Sequence, residues 1–113
     1  MKKKLRIQVW NKYNKHCAYC GKELKYKEMQ VDHYIPQRLF DIENLEGDKD
    51  DIDNLMPSCR RCNHYKRDSL PENFRESLNT LHERVLKQYI CKVAYDYGVI
   101  KIEPFDGVFY FEK

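Results

Sequence analysis

Two short cysteine motifs decide how this chain folds: Cys-Ala-Tyr-Cys at residues 17–20 and Cys-Arg-Arg-Cys at residues 59–62. The two motifs are separated by 38 residues, and the basic N-terminal residues are not followed by an apolar segment of the kind that directs secretion. Disulfides are uncommon in chains without such a signal. Two C-x-x-C pairs at this spacing predict a structural Zn²⁺ bound by four thiolates.

The expected zinc ligands are therefore Cys17, Cys20, Cys59 and Cys62. Two alternatives are a redox-active pair and a reduced pair buried in the core. Redox C-x-x-C motifs usually occur singly and beside a βαβ pattern, which this sequence lacks. The fifth cysteine, Cys91, is expected to be a small apolar residue on a helix.

The length and composition limit the fold further. A chain of 113 residues is the size of one domain, so we expect residues 1–113 to form a single domain. It is too short for a dinucleotide-binding fold with a second domain or for a barrel enzyme. No apolar run approaches the roughly 18 residues that would span a membrane. We expect a cytoplasmic protein with no membrane partner.

Charge is distributed unevenly along the chain. Residues 1–30 carry nine lysines and arginines against two acids, and residues 59–71 carry four against one. Between them, residues 31–58 carry two basic residues against eight acids. Basic segments attract phosphate, although a solvated surface would explain the same charges.

Apolar spacing predicts a first helix over residues 5–14, short strands at residues 29–33 and 55–57, and a helix beginning near residue 60. A long loop over residues 34–54 separates the two strands. The part of this loop at residues 41–53 is strongly acidic.

A second periodic segment follows this region. Apolar residues at steps of three and four predict one long helix over residues 71–97, with Tyr89 and Tyr97 on its apolar face. Two β-prone runs, at residues 99–103 and 108–112, flank Asp106-Gly107. Asp-Gly between such runs predicts a β-hairpin.

Four motifs in this order resemble the HNH endonuclease family: C-x-x-C-G at residues 17–21, V-D-H-x-x-P at 31–36, N-L at 54–55 and C-x-x-C-N-x-x-K at 59–66. The resemblance covers residues 5–70. It implies an α+β fold with a ββα-metal core braced by zinc. The short helix predicted over residues 5–14 belongs to the N-terminal part of this range, and residues 71–113 lie outside the resemblance as a C-terminal extension. The resemblance further implies a metal-dependent DNA endonuclease from a phage, a mobile element or a host-defence system.

The resemblance also implies roles for individual residues. His33 would be the general base that takes a proton from the attacking water, and Asp32 and Asn63 would hold one divalent metal. Asn54 would fix the loop and help to orient His33. Because Asp32 and Asn63 offer oxygen atoms, the expected catalytic metal is Mg²⁺ or Mn²⁺. His64 is the alternative ligand beside Asn63.

An imidazole is available as a base near neutral pH, which suits the hydrolysis of a phosphodiester. The alternative for Asp32 is a strand-end cap, and for His33 a buried structural histidine. The second function to weigh is a non-catalytic, zinc-stabilised module that binds nucleic acid. Loss of cutting in His33→Ala with binding retained would distinguish the nuclease from this module.

The basic residues beside the second motif are expected to contact DNA phosphates: Arg60, Arg61, Lys66 and Arg67. The acidic loop at residues 41–53 could point away from the DNA, bind a partner or mask the site. The extension over residues 71–113 could pack on the core, form a homodimer interface or bind a protein partner, and we expect it to pack on the core.

Overall fold

The computed structural model describes all 113 residues and combines helices with one small sheet. The part that holds the cysteine motifs contains, in chain order, α1 (Lys3–Asn11), β1 (Gln30–His33), α2 (Gln37–Ile42), β2 (Leu55–Ser58) and α3 (Arg60–Lys66). Short 3-10 turns occur at Ile52–Asn54 and Tyr110–Glu112. The predicted α+β class, with two strands leading into a helix, is confirmed.

The two strands form an antiparallel pair in which Asp32 lies opposite Met56 and His33 lies opposite Leu55. All of β2 is buried, whereas β1 has one buried residue, Asp32, between partly exposed neighbours. Successive side chains of a strand leave from opposite faces. Asp32 and His33 therefore project from opposite sides of β1, as their sequence positions predict.

The first helix fixes the segment that leads into β1. Val9 of α1 is fully buried, and the indole N–H of Trp10 donates to the carbonyl of Leu24 at 2.9 Å. The guanidinium of Arg6 donates to the carbonyls of Tyr26 and Met29 at 2.8 and 2.7 Å. Basic residues of the first segment thus serve partly as donors to backbone carbonyls.

The loop predicted over residues 34–54 contains a helix that the sequence pattern did not indicate. α2 begins after Pro36, whose fixed backbone angle suits a helix start, and it buries Leu39. It spans only six residues, too few for apolar periodicity to be recognised. Asn44 and Gly47 then adopt positive φ angles and take the chain into the acidic loop.

The long C-terminal helix predicted from periodicity is instead three short helices, α4 (Pro71–Asn79), α5 (Leu81–Leu86) and α6 (Tyr89–Asp96). The hydroxyl of Thr80 donates to carbonyls of the preceding turn, which competes with continued helix bonding. Gln88 is extended. Tyr89 and Tyr97 are 86% and 84% exposed, so the apolar spacing does not mark one buried face.

The predicted β-hairpin does not form either. Asp106-Gly107 does make a turn, in which the Asp106 carboxylate accepts from the Val108 N–H at 3.0 Å and Gly107 has a φ of 84°. Beyond the turn, the N–H groups of Tyr110 and Phe111 donate to the carbonyls of Tyr19 and Ala18 at 3.0 and 2.8 Å. These donors pair with the first cysteine motif, so they are not available to a second strand.

Aromatic packing accompanies this contact between residues 109–113 and the first cysteine motif. The rings of Tyr19 and Phe109 meet edge to face with centroids 5.2 Å apart, and Phe109 is fully buried. Gly21 has a φ of 80°, and a Cβ there would lie 2.9 Å from the ring of Tyr110. The glycine after Cys20 therefore serves both the turn and the close approach of Tyr110.

The chain forms two compact units. Residues Met1–Pro71 and Phe109–Lys113 make the first, and Glu72–Val108 make the second. No helix has the length and apolar character needed to span a membrane. The single domain of residues 1–113, with its division at residue 70, stays a prediction.

Candidate active site and metal centre

Four cysteines from two distant parts of the chain converge on one point. The Sγ atoms of Cys17, Cys20, Cys59 and Cys62 all lie within 4.8 Å of one another. The Sγ atoms of Cys20 and Cys59 are 3.8 Å apart. A tetrahedral ion with zinc–sulfur bonds of about 2.3 Å would place two ligands about 3.8 Å apart, so the cluster is compatible with zinc.

Backbone bonds hold each cysteine motif in shape. The Cys17 N–H donates to the Lys22 carbonyl at 2.7 Å, and the Gly21 N–H donates to the Cys17 carbonyl at 3.0 Å. Cys59 caps α3, because its sulfur accepts from the Cys62 N–H at 3.3 Å. Hydrogen bonds from the Cys20 and Cys62 thiols lower the pKa of Cys17, whose own sulfur raises the pKa of Cys20 to about 11.

A buried network surrounds Asp32. Its Oδ2 accepts from the Tyr19 hydroxyl at 2.5 Å and lies 3.1 Å from Nζ of Lys66. Burial raises the pKa of the Asp32 carboxyl, and the positive charge of Lys66 opposes this shift. Burial and the nearby Asp32 also raise the pKa of Tyr19, so its hydroxyl remains a donor. Oδ1 has one contact, with Lys66 at 3.4 Å, and keeps lone pairs for a further partner.

His33 lies at the end of β1 with a partner on each ring nitrogen. Nε2 is 2.8 Å from Oδ1 of Asp50, and Nδ1 is 3.3 Å from Nε2 of Gln37. The His33 side chain is 16% exposed. The acidic loop therefore does not point away from His33, because it places the Asp50 carboxylate against the imidazole.

Asn54 joins the two segments on either side of the acidic loop. Its Oδ1 accepts from the Ile35 N–H at 2.8 Å, and its Nδ2 donates to the Ile35 carbonyl at 3.2 Å. Nδ2 also donates to the Lys49 carbonyl at 2.9 Å. The Asn54 amide thus links Ile35, two residues after His33, to Lys49, the residue before Asp50.

An open pocket of about 240 Å³ lies beside β1. Its lining brings together the candidates from the two halves of the sequence: Asp32 and His33 from β1, and Asn63 from α3. The Asn63 amide makes no hydrogen bond to another group of the protein, whereas His64 is exposed and does not line the pocket. The structure therefore places Asn63, and not its neighbour, at the pocket.

Residues 17–69 match the model of the HNH endonuclease family. This segment is an HNH domain. It contains both cysteine motifs, β1, β2 and α3. The residues that converge at the pocket lie within the matched range.

A CRISPR-associated endonuclease Cas9 from Corynebacterium diphtheriae (strain ATCC 700971 / NCTC 13129 / Biotype gravis) is 31% identical over 61 residues. The similarity covers 54% of this chain but only 5% of that protein. No solved structure matches the chain.

Lys66 of the HNH domain occupies a different place from the one predicted. Its side chain is 1% exposed, and Nζ donates to the His33 carbonyl at 3.1 Å as well as contacting Asp32. A buried ammonium cannot reach a DNA phosphate at the surface. The prediction of a phosphate contact by Lys66 is therefore wrong, and its charge instead compensates Asp32.

The three arginines predicted beside Lys66 are all exposed. Arg60 and Arg61 begin α3, and Arg67 follows its end and lines the pocket. A further arginine of the HNH domain, Arg38, also lines the pocket and pairs with Asp68 at 3.1 Å. Sequence reasoning missed Arg38 because it lies in the segment assigned to a loop.

Sequence reasoning also missed the contacts that Tyr19 and Asp50 make with the site. Tyr19 sits between the first two cysteines and reaches Asp32, 13 residues away. Asp50 lies 17 residues after His33. Tyr19 occupies a variable position of its C-x-x-C motif and Asp50 is one of several acids in its loop, so no signal in this one sequence distinguishes them from other tyrosines and acids.

Proposed function

We propose that the HNH domain is a metal-dependent endonuclease that hydrolyses DNA phosphodiester bonds. The observation that carries the proposal is the convergence of Asp32, His33 and Asn63 on one pocket. An imidazole, a carboxylate and a free amide oxygen are the groups needed to activate water and bind a hard cation. Membership of residues 17–69 in the HNH family supports the same reaction.

His33 is the general base in this proposal. As the water oxygen forms its bond to phosphorus, the imidazole takes the proton of that water. The bond from phosphorus to the leaving oxygen breaks, and this oxygen receives a proton from solvent. Asn54 positions the base by fixing Ile35 and the acidic loop.

Asp32 and Asn63 would hold one divalent cation, which we propose is Mg²⁺ or Mn²⁺. A bound cation would neutralise charge on the phosphate and on the leaving oxygen. Oδ1 of Asp32 retains acceptor capacity, and the Asn63 amide has no other partner. Tyr19 and Lys66 hold Asp32 in place from the buried side. We further propose that the four cysteines bind a structural Zn²⁺.

The first test is cleavage of supercoiled plasmid by the purified, zinc-loaded protein. We expect nicked or linear product in Mg²⁺ or Mn²⁺ and none in EDTA, because both ligands are oxygen donors that suit hard cations. The product form distinguishes a nickase from an enzyme that cuts both strands. Activity supported by Zn²⁺ or Ni²⁺ alone would contradict the oxygen-ligand assignment. No cleavage in either hard metal by folded protein would contradict the nuclease and favour a binding module.

A second test concerns the exposed arginines at the start of α3, which we propose bind DNA phosphates. Replacing Arg61 with alanine should weaken DNA binding about equally for all sequences and reduce the salt dependence of the binding constant by about one phosphate contact. Titrations by fluorescence anisotropy at several salt concentrations measure both effects. Lys101→Ala, an exposed lysine of the second unit, is the control. Equal affinity and salt dependence in the two variants would contradict the role of Arg61.

A further inference from the structure

We propose that Asp50 is a positioning residue for His33, and that it makes Nδ1 the nitrogen that faces the pocket and accepts the proton. The proposal deepens the proposed function and rests on it. It assigns a role to the acidic loop, whose charge would otherwise only repel DNA.

The contacts of the imidazole specify its tautomer. An ionised carboxylate only accepts hydrogen bonds, so the 2.8 Å contact with Asp50 requires a proton on Nε2 of His33. An amide nitrogen only donates, so the contact with Gln37 requires a lone pair on Nδ1. Both partners therefore select the same neutral form.

The two partners also differ in their relation to the pocket. Gln37 lines it together with His33, whereas Asp50 does not. Nδ1 therefore contacts a residue that lines the pocket with Asp32 and Asn63, whereas Nε2 contacts a residue that does not. The contact between Nδ1 and Gln37 is long at 3.3 Å, so an incoming water can replace it.

The loop is built to hold Asp50 in this place. The Asp50 N–H donates to the Asp48 carboxylate at 2.9 Å, and the Asp51 N–H donates to the Asp48 carbonyl at 3.0 Å. The residue before Asp50 is bonded to Asn54, which is bonded in turn to Ile35 beyond β1. Asp50 and His33 are thus held by one framework, although the Asp50 side chain is 49% exposed.

When His33 takes the proton from water at Nδ1, the ring becomes an imidazolium whose Nε2–H still faces the Asp50 carboxylate. Asp50 gains no proton in this step. It orients the ring before the transfer and stabilises the positive charge afterwards. The imidazolium then returns its proton to solvent.

The proposal is tested first by nitrogen-15 NMR of His33 at alkaline pH, where imidazoles are neutral, on the zinc-loaded protein without added Mg²⁺ or Mn²⁺. We expect a single tautomer with Nε2 protonated, and a mixture of tautomers in Asp50→Ala. A wild-type signal with Nδ1 protonated would overturn the proposal, and so would identical spectra for the two proteins. This readout does not depend on catalysis or on the catalytic metal.

The second measurement is the single-turnover rate of plasmid cleavage at saturating protein. Asp50→Ala should be slower by about 10- to 100-fold, the range seen when the partner that orients a metal-ligating histidine is removed. Asp50→Asn should lose less, because its amide oxygen still accepts from Nε2. Asp41→Asn, which removes the same charge from an exposed residue of α2, is the control and should cleave at the wild-type rate.

If both Asp50 variants cleave faster than Asp41→Asn, the contact of Asp50 with His33 inhibits the reaction, and the proposal is wrong. Wild-type rates in both variants would also overturn it. His33→Ala separates this failure from failure of the proposed function. If that variant is inactive while Asp50→Ala matches the wild type, only the role of Asp50 is rejected.

Discussion

His33→Ala is expected to cleave plasmid DNA about 10²- to 10⁴-fold more slowly than the wild-type protein, the range that a positioned general base contributes. The side chain is partly exposed at the end of β1, and its ring contacts are with the exposed residues Asp50 and Gln37. Removing the imidazole therefore takes away the proton acceptor without opening a cavity in the core. The measurement is the single-turnover rate of nicking in Mg²⁺ or Mn²⁺.

The matched control for this variant is His64→Ala. His64 lies on α3 beside Asn63, is exposed and does not line the pocket. We expect it to cleave at the wild-type rate. Circular dichroism and zinc content should be unchanged in both variants, and DNA binding should be retained. Wild-type cleavage by His33→Ala would refute the assignment of the base, whatever the behaviour of the control.

Cys59→Ser is expected to have the largest effect on stability. Cys59 is buried, provides one of the four clustered sulfurs and caps α3 through the Cys62 N–H. Structural zinc sites contribute about 10–16 kcal/mol of apparent binding free energy, which is comparable to the whole stability of a small domain. We expect the variant to lose zinc and the cooperative thermal transition of the HNH domain.

The control here is Cys91→Ser, because Cys91 lies on α6 in the second unit and outside the cluster. It should keep the metal content and the melting temperature of the HNH domain. Metal analysis and thermal unfolding by circular dichroism measure both quantities, and a strong chelator applied to the wild type should reproduce the Cys59→Ser result. A cooperatively folded, zinc-free protein would contradict the structural role of the metal.

The sequence predicted those parts of the fold that depend on local spacing. The C-x-x-C pairs predicted the cluster, and β-prone residues before His33 and after Asn54 predicted both strands. The C-terminal segment could not be predicted in the same way. Its apolar spacing continues across Thr80 and Gln88, where the backbone leaves the helical conformation. Periodicity alone therefore predicted one long helix where the chain forms three short ones.

The candidate site shows the same difference between residues in local motifs and residues that meet only through tertiary contacts. His33, Asp32 and Asn63 stand in recognisable motifs, and the structure brings them to one pocket. The partners of these residues come from tertiary contacts across 13 to 34 residues of chain, as with Tyr19 and Lys66 on Asp32. Asn63 and Lys66 are three residues apart on one helix, so the sequence predicted that both lie near the site. It could not indicate that the ammonium group of Lys66 is buried.

The packing of residues 109–111 on the first cysteine motif has a consequence for biosynthesis. The ribosome makes the motif early, but it makes the aromatic residues that cover Tyr19 only after the whole of Glu72–Val108. Glu72–Val108 therefore interrupt the first unit in sequence. The ribosome must complete them before residues 109–113 can pack on the first cysteine motif. A nascent chain that has emerged only to α3 carries every proposed catalytic group but lacks the Phe109 ring that packs against Tyr19, the donor to Asp32.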